Sequence, residues 1–269
     1  MNPLAPPMPV EFLRLPTGGI TLHAAAAGPA EGALVILLHG FPEFWYGWRQ
    51  QIAALAEAGL RVLAPDQRGY NRSDKPAGIA AYRLDTLADD VIGLADACGR
   101  ERVAVVGHDW GGVVAWHLAG RNPERISRAV ILNAPHPATL WRYARGHPGQ
   151  LAKSWMLRRT LIRTSREPAF RAADWPIYRD AWGQPGALGA MLGWYRALPR
   201  YARSLPPTRI RVPVRLIWGE RDAFLDRGLA DSASALCDEC EVFHLPDATH
   251  WLQHEEAETV NRLLIEFLR

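Results

Sequence analysis

The stretch Val103-Ala-Val-Val-Gly107-His-Asp109-Trp-Gly111-Gly112 decides the fold of this chain. It begins with an apolar run, passes through a short turn bounded by glycine and continues as a helical pattern, which predicts a buried strand, a sharp turn and a helix. The turn matches the pattern G-x-nucleophile-x-G, with Asp109 where serine is more common. Small flanking residues allow a strained backbone at Asp109, and the amino terminus of the following helix favours its carboxylate. The alternative interpretation is that Asp109 only caps this helix.

Apolar runs of strand length recur along the chain, at 10–15, 20–24, 33–38, 61–64, 103–106, 129–132, 214–218 and 242–245. The first two flank a predicted hairpin turn at Pro16-Thr17-Gly18-Gly19, and the later ones lack polar alternation, as strands buried on both faces do. Helical patterns lie between them. Strands that alternate with helices predict an α/β protein whose mostly parallel, eight-stranded sheet is covered by helices on both faces.

Two of the helices have recognisable ends or faces. Asp85 is expected to cap a helix that ends at Gly99. Residues 255–268 are expected to form a C-terminal helix whose apolar stripe consists of Val260, Leu263, Leu264 and Phe267.

Two further ionisable residues lie shortly after predicted strands. Asp222 comes after the seventh strand and His250 after the eighth. Reactive residues in such sheets sit on loops beyond the carboxyl ends of the strands, so we expect Asp109, Asp222 and His250 to lie together. The chain order nucleophile, acid, histidine is similar to that of the α/β-hydrolase fold. Other candidates for these roles are one acid, Glu220, and two histidines, His244 and His254.

A fourth element, His39-Gly40-Phe41-Pro42, directly follows the third predicted strand. Its position next to the strand of Asp109 favours a role beside the nucleophile. We expect the backbone N–H groups of Phe41 and Trp110 to form an oxyanion hole there.

Residues 138–206 differ in composition from the rest of the chain. They hold 12 Lys and Arg but 3 Asp and Glu, whereas the remaining chain holds 19 basic and 25 acidic residues. Five of the 11 tryptophans and four of the 7 tyrosines also lie there. No motif of a nucleic-acid-binding module accompanies the charge, so arginines over an aromatic-lined pocket are favoured over an RNA site. The segment predicts a helical cap, residues 137–206, between core parts 1–136 and 207–269.

Several functional classes are disfavoured by what the sequence lacks. The longest apolar run, 33–38, is far shorter than the ~20 residues of a membrane span, and no signal peptide is visible. Three cysteines are too few to stabilise a secreted fold of 269 residues by disulfide bonds, so we expect a cytoplasmic protein. Cys237 and Cys240 have metal-site spacing, but no second pair accompanies them. No phosphate loop or dinucleotide fingerprint appears, so no cofactor is expected.

Four core motifs resemble those of soluble epoxide hydrolases of the α/β-hydrolase superfamily. They are His39-Gly-Phe-Pro-Glu-Phe-Trp-Tyr-Gly-Trp-Arg49, Pro65-Asp-Gln-Arg-Gly-Tyr-Asn-Arg-Ser-Asp-Lys-Pro76, Gly107-His-Asp-Trp-Gly-Gly112 and His250-Trp-Leu-Gln-His-Glu-Glu256. In the predicted cap, Tyr178-Arg-Asp-Ala-Trp-Gly-Gln-Pro-Gly-Ala187 and Gly193-Trp-Tyr195-Arg196 resemble the cap of the same family. The resemblance implies an α/β-hydrolase fold with an inserted helical cap. It also implies an enzyme that acts on a small-molecule epoxide, with no nucleic acid or membrane as partner.

For this family the resemblance implies a two-step hydrolysis. Asp109 attacks an epoxide carbon and forms an alkyl-enzyme ester. His250, oriented by Asp222, then activates the water that hydrolyses the ester. Tyr195 matches one of the two tyrosines that protonate the opening ring in this family.

The second ring-opening tyrosine is missing where the resemblance expects it. The usual Ser-Trp-Tyr triplet is Ser154-Trp155-Met156 here, and methionine cannot donate a proton. Tyr143 and His147 are alternative donors. The predicted substrate-binding residues, beside Phe41 and Trp110, are His39, Trp45, Trp155 and Met156.

Two other functions remain open at this point. A haloalkane or haloacetate dehalogenase would use the same Asp109, with Trp110 and Trp155 as halide donors, although Phe41 stands where many such enzymes carry asparagine. A ligand receptor that retains the fold without catalysis is disfavoured by the intact triad.

An aromatic cap also leaves open whether the chain forms a homodimer or the cap only covers the site.

Overall fold

The computed structural model describes residues 9–146, 165, 169–201 and 208–269. Its eight strands are β1 Glu11–Thr17, β2 Ile20–Ala27, β3 Leu34–Leu38, β4 Arg61–Pro65, β5 Val103–His108, β6 Ile126–Leu132, β7 Val214–Gly219 and β8 Cys240–Leu245. The α-helices within the described residues are α1 Arg49–Glu57, α2 Leu84–Ala97, α3 Trp110–Arg121, α4 Pro137–Gly146, α5 Trp175–Gly183, α6 Ala187–Tyr201, α7 Gly228–Ser234, α8 Leu252–Glu255 and α9 Ala257–Leu268.

The strands form one sheet in the order β1-β2-β4-β3-β5-β6-β7-β8. β1 and β2 pair antiparallel around Gly18 and Gly19, and β2 joins β4 antiparallel. All remaining pairs, from β4 to β8, are parallel. This arrangement confirms the predicted mostly parallel sheet, and it brings the loops that follow β3 to β8 to one edge.

Apolar side chains are buried on both faces of the sheet, because alternate residues of one strand point in opposite directions. In β3, Ile36 and Leu38 join a cluster with α2 and α3, whereas Val35 and Leu37 join one with α1 and α9. Every residue of β3, β5 and β7 is buried, as their lack of polar alternation predicted. β8 lies at the edge of the sheet and is only partly buried.

Two details of the predicted helices were wrong. Asp85 does not cap α2: the helix begins at Leu84, and the Asp85 carboxylate instead accepts a hydrogen bond from His117 Nε2 at 2.8 Å. The C-terminal helix is interrupted at Glu256, which separates α8 from α9. Val260, Leu263 and Leu264 of its apolar stripe are buried as predicted, and Phe267 packs partly buried against the same cluster, with the Arg215 guanidinium 4.8 Å from its ring. Leu268 is buried as well. The predicted end at Gly99 is confirmed by its φ of 67° directly after α2.

Helices α5 and α6 belong to the segment inserted between β6 and β7, and they contact the loops that follow β3 and β4. Trp182 Nε1 donates to the Pro42 carbonyl at 2.7 Å, and Trp194 Nε1 donates to the Arg68 carbonyl at 3.0 Å. Two indole hydrogen bonds thus join the inserted segment to the edge of the sheet where reactive residues are expected. The predicted cap boundaries, 137–206, stay a prediction, because parts of that range lie outside the described residues.

Candidate active site

Asp109 stands on the sharp turn between β5 and α3. Its backbone has φ 51° and ψ −121°, a conformation that residues with a side chain rarely adopt. A Cβ at Gly107 would lie 2.3 Å from the Gly111 carbonyl, and one at Gly111 would lie 1.9 Å from the Leu38 carbonyl. Only glycine fits these two positions, because the backbone approaches too closely to leave room for a Cβ. The Asp109 side chain makes no capping hydrogen bond to α3, so the helix-cap interpretation was wrong.

His250 lies between two carboxylates. Its Nδ1 donates to Asp222 Oδ2 at 2.7 Å, and its Nε2 lies 3.5 Å from Asp109 Oδ2. The His250 side chain is 1% exposed. The three residues come from the loops after β5, β7 and β8, and the parallel sheet brings these loops together.

Asp222 is fixed by hydrogen bonds from several elements. Its Oδ1 accepts from the backbone N–H groups of Phe224 at 2.7 Å and Leu225 at 3.0 Å. Its Oδ2 also accepts from Asn133 Nδ2 at 2.5 Å. Asn133 was missed by the sequence analysis, although it directly follows β6, as a site residue should. Its φ of 39° suits asparagine, which tolerates the left-handed region better than most residues.

These carboxylates control the charge of His250. Burial on its own would lower the pKa of His250, but the carboxylates of Asp222 and Asp109 outweigh it and raise the pKa to about 10. Burial would likewise raise the pKa of Asp109, but interaction with His250 outweighs it, so the net shift is downward. In the resting protein, a cationic imidazole therefore lies between two anionic carboxylates at neutral pH.

The loop after β3 contacts the Asp109 carboxylate. The Phe41 N–H donates to Asp109 Oδ1 at 2.8 Å. His39 holds this loop: its Nε2 accepts from the Gln67 N–H at 3.0 Å, and its Nδ1 lies 3.0 Å from the Gly40 carbonyl. Because both ring nitrogens are bonded to the protein and burial lowers the pKa of the imidazole, neither is available to a substrate. The contact between His39 and substrate stays a prediction, and the hydrogen bonds of His39 to Gln67 and Gly40 do not support it.

Trp110 and Tyr195 pack together beside the nucleophile. Trp110 begins α3, so its backbone N–H is among the unsatisfied donors at a helix start. The Tyr195 ring packs edge-on against Trp110, with centroids 4.9 Å apart, and against Phe41 at 5.3 Å. The Tyr195 ring is therefore held by the two residues whose N–H groups were predicted to form the oxyanion hole.

The other predicted residues are placed elsewhere or lie outside the described residues. Glu220, the alternative acid, pairs with Arg227 at 3.3 Å. It also lies 3.5 Å from His244, an alternative histidine, so these contacts of Glu220 and His244 are with residues outside the triad. The Trp45 ring packs against the rings of Phe12, Phe44 and Tyr46, with a centroid distance of 5.1 Å to Phe12 of β1. The predicted residues outside the described part of the chain are Trp155 and Met156.

A buried carboxylate, Glu43, joins the inserted segment to the core. Its Oε1 accepts from the Tyr178 hydroxyl and from His254 Nε2, both at 2.8 Å, and its Oε2 accepts from Gln253 Nε2 at 2.9 Å. Burial on its own would raise the pKa of Glu43, but interaction with His254 outweighs it and lowers the pKa to about 2. His254, a candidate base from the sequence, is therefore a partner of Glu43. Glu43 was not singled out from the sequence, although it directly follows His39-Gly-Phe-Pro42.

The same network extends to the backbone of His250 through His108. His108 Nε2 lies 2.8 Å from the His250 carbonyl, and its Nδ1 lies 3.2 Å from Gln253 Nε2. Burial lowers the pKa of His108 to about 4, so the ring is neutral. The neutral ring satisfies both contacts when Nε2 carries the proton, because a carbonyl can only accept and the amide nitrogen can only donate.

Replacing Glu43 with glutamine is expected to lower the free energy of unfolding by roughly 3 kcal/mol. The amide brings its own N–H₂ group to a position where three donors already point, so at least one buried donor loses its acceptor. Urea unfolding measures the difference. The matched control is Glu57→Gln, since Glu57 is an exposed residue at the end of α1.

This loss is expected to depend on pH. Because the folded-state pKa of about 2 lies below the ordinary 4.5, the Glu43 carboxylate contributes fully above about pH 4.5. Its contribution disappears as the pH falls from there towards 2. The stabilities of the wild type and Glu43→Gln should therefore converge on acidification. A gap that stays constant down to about pH 3 would contradict this assignment.

Two kinds of feature are absent from the described part of the chain. None of the described helices is long and apolar enough to cross a membrane. No group of three or more His, Cys, Asp or Glu side chains that could hold a metal ion occurs within the described ranges.

Comparison with known protein families gives one family match. Residues 33–172 match the family described as alpha/beta hydrolase fold. The AB hydrolase superfamily protein YfhM of Bacillus subtilis is 45% identical, over 94% of this chain and 96% of its own. Epoxide hydrolase 4 of Mus musculus is 32% identical, over 96% of this chain and 79% of its own.

Solved structures give the same result. A mutant epoxide hydrolase from Bacillus megaterium, complexed with its product (R)-3-[1]naphthyloxy-propane-1,2-diol, superimposes with a TM-score of 0.84 at 28% identity. The match covers 95% of this chain and 99% of that one. An epoxide hydrolase from metagenomes of hot environments matches with a TM-score of 0.86 at 31% identity, over 97% of this chain and 99% of its own.

Proposed function

This chain belongs to the epoxide hydrolases of the α/β-hydrolase fold, and on that premise we propose that it hydrolyses a small-molecule epoxide to a vicinal diol. The observation that carries the proposal is the position of His250 Nε2, 3.5 Å from the Asp109 carboxylate and fixed from behind by Asp222. A carboxylate nucleophile suits attack on a saturated carbon. Attack on a carboxylic ester would instead give a reactive anhydride, so ester hydrolysis is disfavoured.

In the first step, an oxygen of Asp109 bonds to a ring carbon and the carbon–oxygen bond of the epoxide breaks. The electron pair goes to the ring oxygen, which takes a proton from the Tyr195 hydroxyl. Burial, followed by the nearby Asp109 carboxylate, raises the pKa of Tyr195 well above its ordinary value. Tyr195 therefore holds its proton until an alkoxide, a much stronger base, develops beside it.

Formation of the ester changes the charge around His250. The Asp109 carboxylate is one of the groups that keep the pKa of His250 near 10, and esterification makes Asp109 neutral. We expect the pKa of His250 to fall at that point, so that the imidazole loses its proton while the Tyr195 phenolate regains one. His250 then becomes a base only after the nucleophile has reacted.

In the second step, neutral His250 takes a proton from water, and the hydroxide attacks the carbonyl of the Asp109 ester. The Phe41 N–H already donates to an Asp109 oxygen at 2.8 Å, which supports its role in stabilising the oxyanion, together with the N–H of Trp110. The bond between the carbonyl carbon of Asp109 and the diol oxygen then breaks, and that oxygen takes the proton of the added hydroxyl group. The diol leaves, the Asp109 carboxylate is restored, and His250 is again cationic beside the two carboxylates. Residues 137–206 are proposed to act as the cap, because α5 and α6 contact the loops of Phe41 and Arg68.

Tyr195→Phe is the experiment that tests this function. The wild type is expected to form diols from aryl or aliphatic epoxides, and Tyr195→Phe to form the ester about 10²–10⁴-fold more slowly. Rapid-quench mass spectrometry of the ester measures the step. The control is Tyr201→Phe on the same helix, where the ring packs 4.9 Å from the Arg83 guanidinium, and it should leave the rate unchanged.

Halide release from haloalkanes without diol formation would instead favour the dehalogenase. The rate of halide release is also expected to be unchanged in Tyr195→Phe, because a departing halide needs no proton. Ligand binding without any conversion would favour the receptor.

A further inference from the structure

We propose that the Tyr70 hydroxyl is a second hydrogen-bond donor to the oxygen that is released when the epoxide ring opens. This inference rests on the proposed epoxide chemistry. It assigns a catalytic contact to a residue of the core loop after β4, outside the triad, the oxyanion loop and the inserted segment.

The Tyr70 ring lies between the oxyanion loop and the helix of Tyr195. Its centroid is 4.6 Å from that of His39, which holds the Phe41 loop, and 5.6 Å from that of Trp194. Both ring pairs are edge-on. Trp194 directly precedes Tyr195 and is anchored by its hydrogen bond to the Arg68 carbonyl at 3.0 Å. The ring is therefore wedged between fixed neighbours, and its hydroxyl has a fixed position.

The Tyr70 hydroxyl is buried and has no hydrogen-bond partner in the part of the chain that the structure describes. The residue is 1% exposed. Two other buried tyrosines are satisfied: Tyr178 donates to Glu43, and Tyr82 donates to the Pro76 carbonyl at 2.8 Å. The Tyr195 hydroxyl, like that of Tyr70, is buried without a hydrogen-bond partner among the described residues. A buried hydroxyl without a partner is unfavourable, so one that persists needs an explanation. A donor kept for a substrate oxygen is such an explanation.

The neighbours of the Tyr70 ring lie beside the nucleophile. Gly40, which follows His39, is so close to Asp109 that a Cβ there would lie 2.3 Å from its Oδ1, and the Trp194 ring packs 5.8 Å from the ring of Trp110. Burial is the main cause that raises the pKa of Tyr70 well above its ordinary value, and the Asp109 carboxylate is the next. The same two causes raise the pKa of Tyr195, and Tyr70 adds to them. Both hydroxyls are therefore neutral at physiological pH. A phenol with a raised pKa keeps its proton and acts as a hydrogen-bond donor.

The proposed step leaves the proton balance of ring opening unchanged. Asp109 forms the new carbon–oxygen bond, the ring bond breaks towards oxygen, and Tyr195 supplies the proton. Tyr70 donates a hydrogen bond to the same oxygen while negative charge develops on it and keeps its own proton throughout. It stabilises the transition state of the first step and has no part in the second.

Tyr70→Phe tests the proposal, with Tyr82→Phe as the matched control. Tyr70→Phe is expected to slow ester formation about 10²-fold and to leave hydrolysis of the ester unchanged, both measured by rapid-quench mass spectrometry with styrene oxide. Its melting temperature should be equal to or higher than that of the wild type, because an unsatisfied hydroxyl is removed. Tyr82→Phe loses a satisfied hydrogen bond, so it should melt lower and react normally.

The outcomes separate this inference from the function on which it rests. Normal ester formation by Tyr70→Phe in a protein whose wild type opens epoxides would overturn the role of Tyr70 alone. No epoxide opening by the wild type would overturn both. A melting temperature lowered as far as in Tyr82→Phe would show that the Tyr70 hydroxyl has a structural partner, which also contradicts the proposal.

The double variant distinguishes direct from indirect action. If Tyr70 contacts the released oxygen, Tyr70→Phe slows ester formation further in a Tyr195→Phe background. If Tyr70 only supports the Tyr195 hydroxyl, it has no effect in that background, and the proposed contact is wrong.

Discussion

His250→Gln is expected to accumulate a covalent ester on Asp109 and to release almost no diol. The nucleophile and Tyr195 remain, so the ring still opens, but no base activates water against the ester. Loss of a general base typically slows a step by about 10²–10⁴-fold. Glutamine should preserve the fold, because its amide can donate to Asp222, which still accepts hydrogen bonds from Phe224, Leu225 and Asn133.

The position of the adduct can be read directly from a tryptic digest. Cleavage after Arg102 and Arg121 releases residues 103–121, in which Asp109 is the only acidic side chain. The mass of this peptide should rise by the mass of the whole epoxide, because ring opening has no leaving group. A haloalkane would instead add only its alkyl group. The mass difference therefore separates the two enzyme functions in one experiment.

His244→Gln is the matched control for this experiment, because His244 lies in β8 and pairs with Glu220 at 3.5 Å. It should turn over normally and leave the peptide mass unchanged. An unmodified peptide in His250→Gln, at substrate concentrations that the wild type consumes, would contradict the covalent scheme.

Asp109→Asn is expected to lose about 10⁴-fold or more of the turnover, the scale seen when a member of a catalytic triad is removed. The amide oxygen is a poor nucleophile, so no ester forms. Stability should change little, since the amide can accept the same hydrogen bond from the Phe41 N–H and asparagine tolerates a positive φ. Diol formation and thermal unfolding measure the two effects.

The same substitution has a second readout in the charge of His250. Removing the Asp109 carboxylate leaves Asp222 as the only carboxylate of the triad beside His250, so the pKa of His250 should fall from about 10. NMR titration of the imidazole measures this shift. The mass of peptide 103–121 serves as the control, because deamidation of the introduced asparagine would regenerate the wild type. Turnover at the wild-type rate in protein whose peptide mass shows an intact amide would contradict a nucleophilic role.

Most of the sheet was predictable from the sequence, because strands buried on both faces form apolar runs that stand out from their surroundings. The ends of the elements were less predictable. Asp85 looked like a helix cap, but a carboxylate in a first turn can also bind a neighbouring helix, and its partner His117 lies in α3. That choice depends on tertiary packing, which a local pattern does not contain.

Asp109, Asp222 and His250, which the structure brings together, were selected from the sequence because each lies on the loop after a strand of a parallel sheet. Their supports were harder to find. Glu43 and His108 matter through partners far away in the chain, such as Gln253, and no local spacing indicates such a network. Tyr70 belongs to the motif of residues 65–76 that resembles epoxide hydrolases, yet nothing in the sequence shows that its hydroxyl is buried without a hydrogen-bond partner. Trp45 was selected as an aromatic residue near the oxyanion loop, but its ring faces β1.

A single turnover in heavy-oxygen water tests most directly whether Asp109 bonds to the substrate. With enzyme in excess over epoxide, the oxygen delivered to the first diol should come from Asp109 and carry no label. Peptide 103–121 should gain one heavy oxygen, because water attacks the carbonyl of the ester. Label that appears in the first diol and never in this peptide would mean that water attacks the epoxide directly, and it would contradict the account.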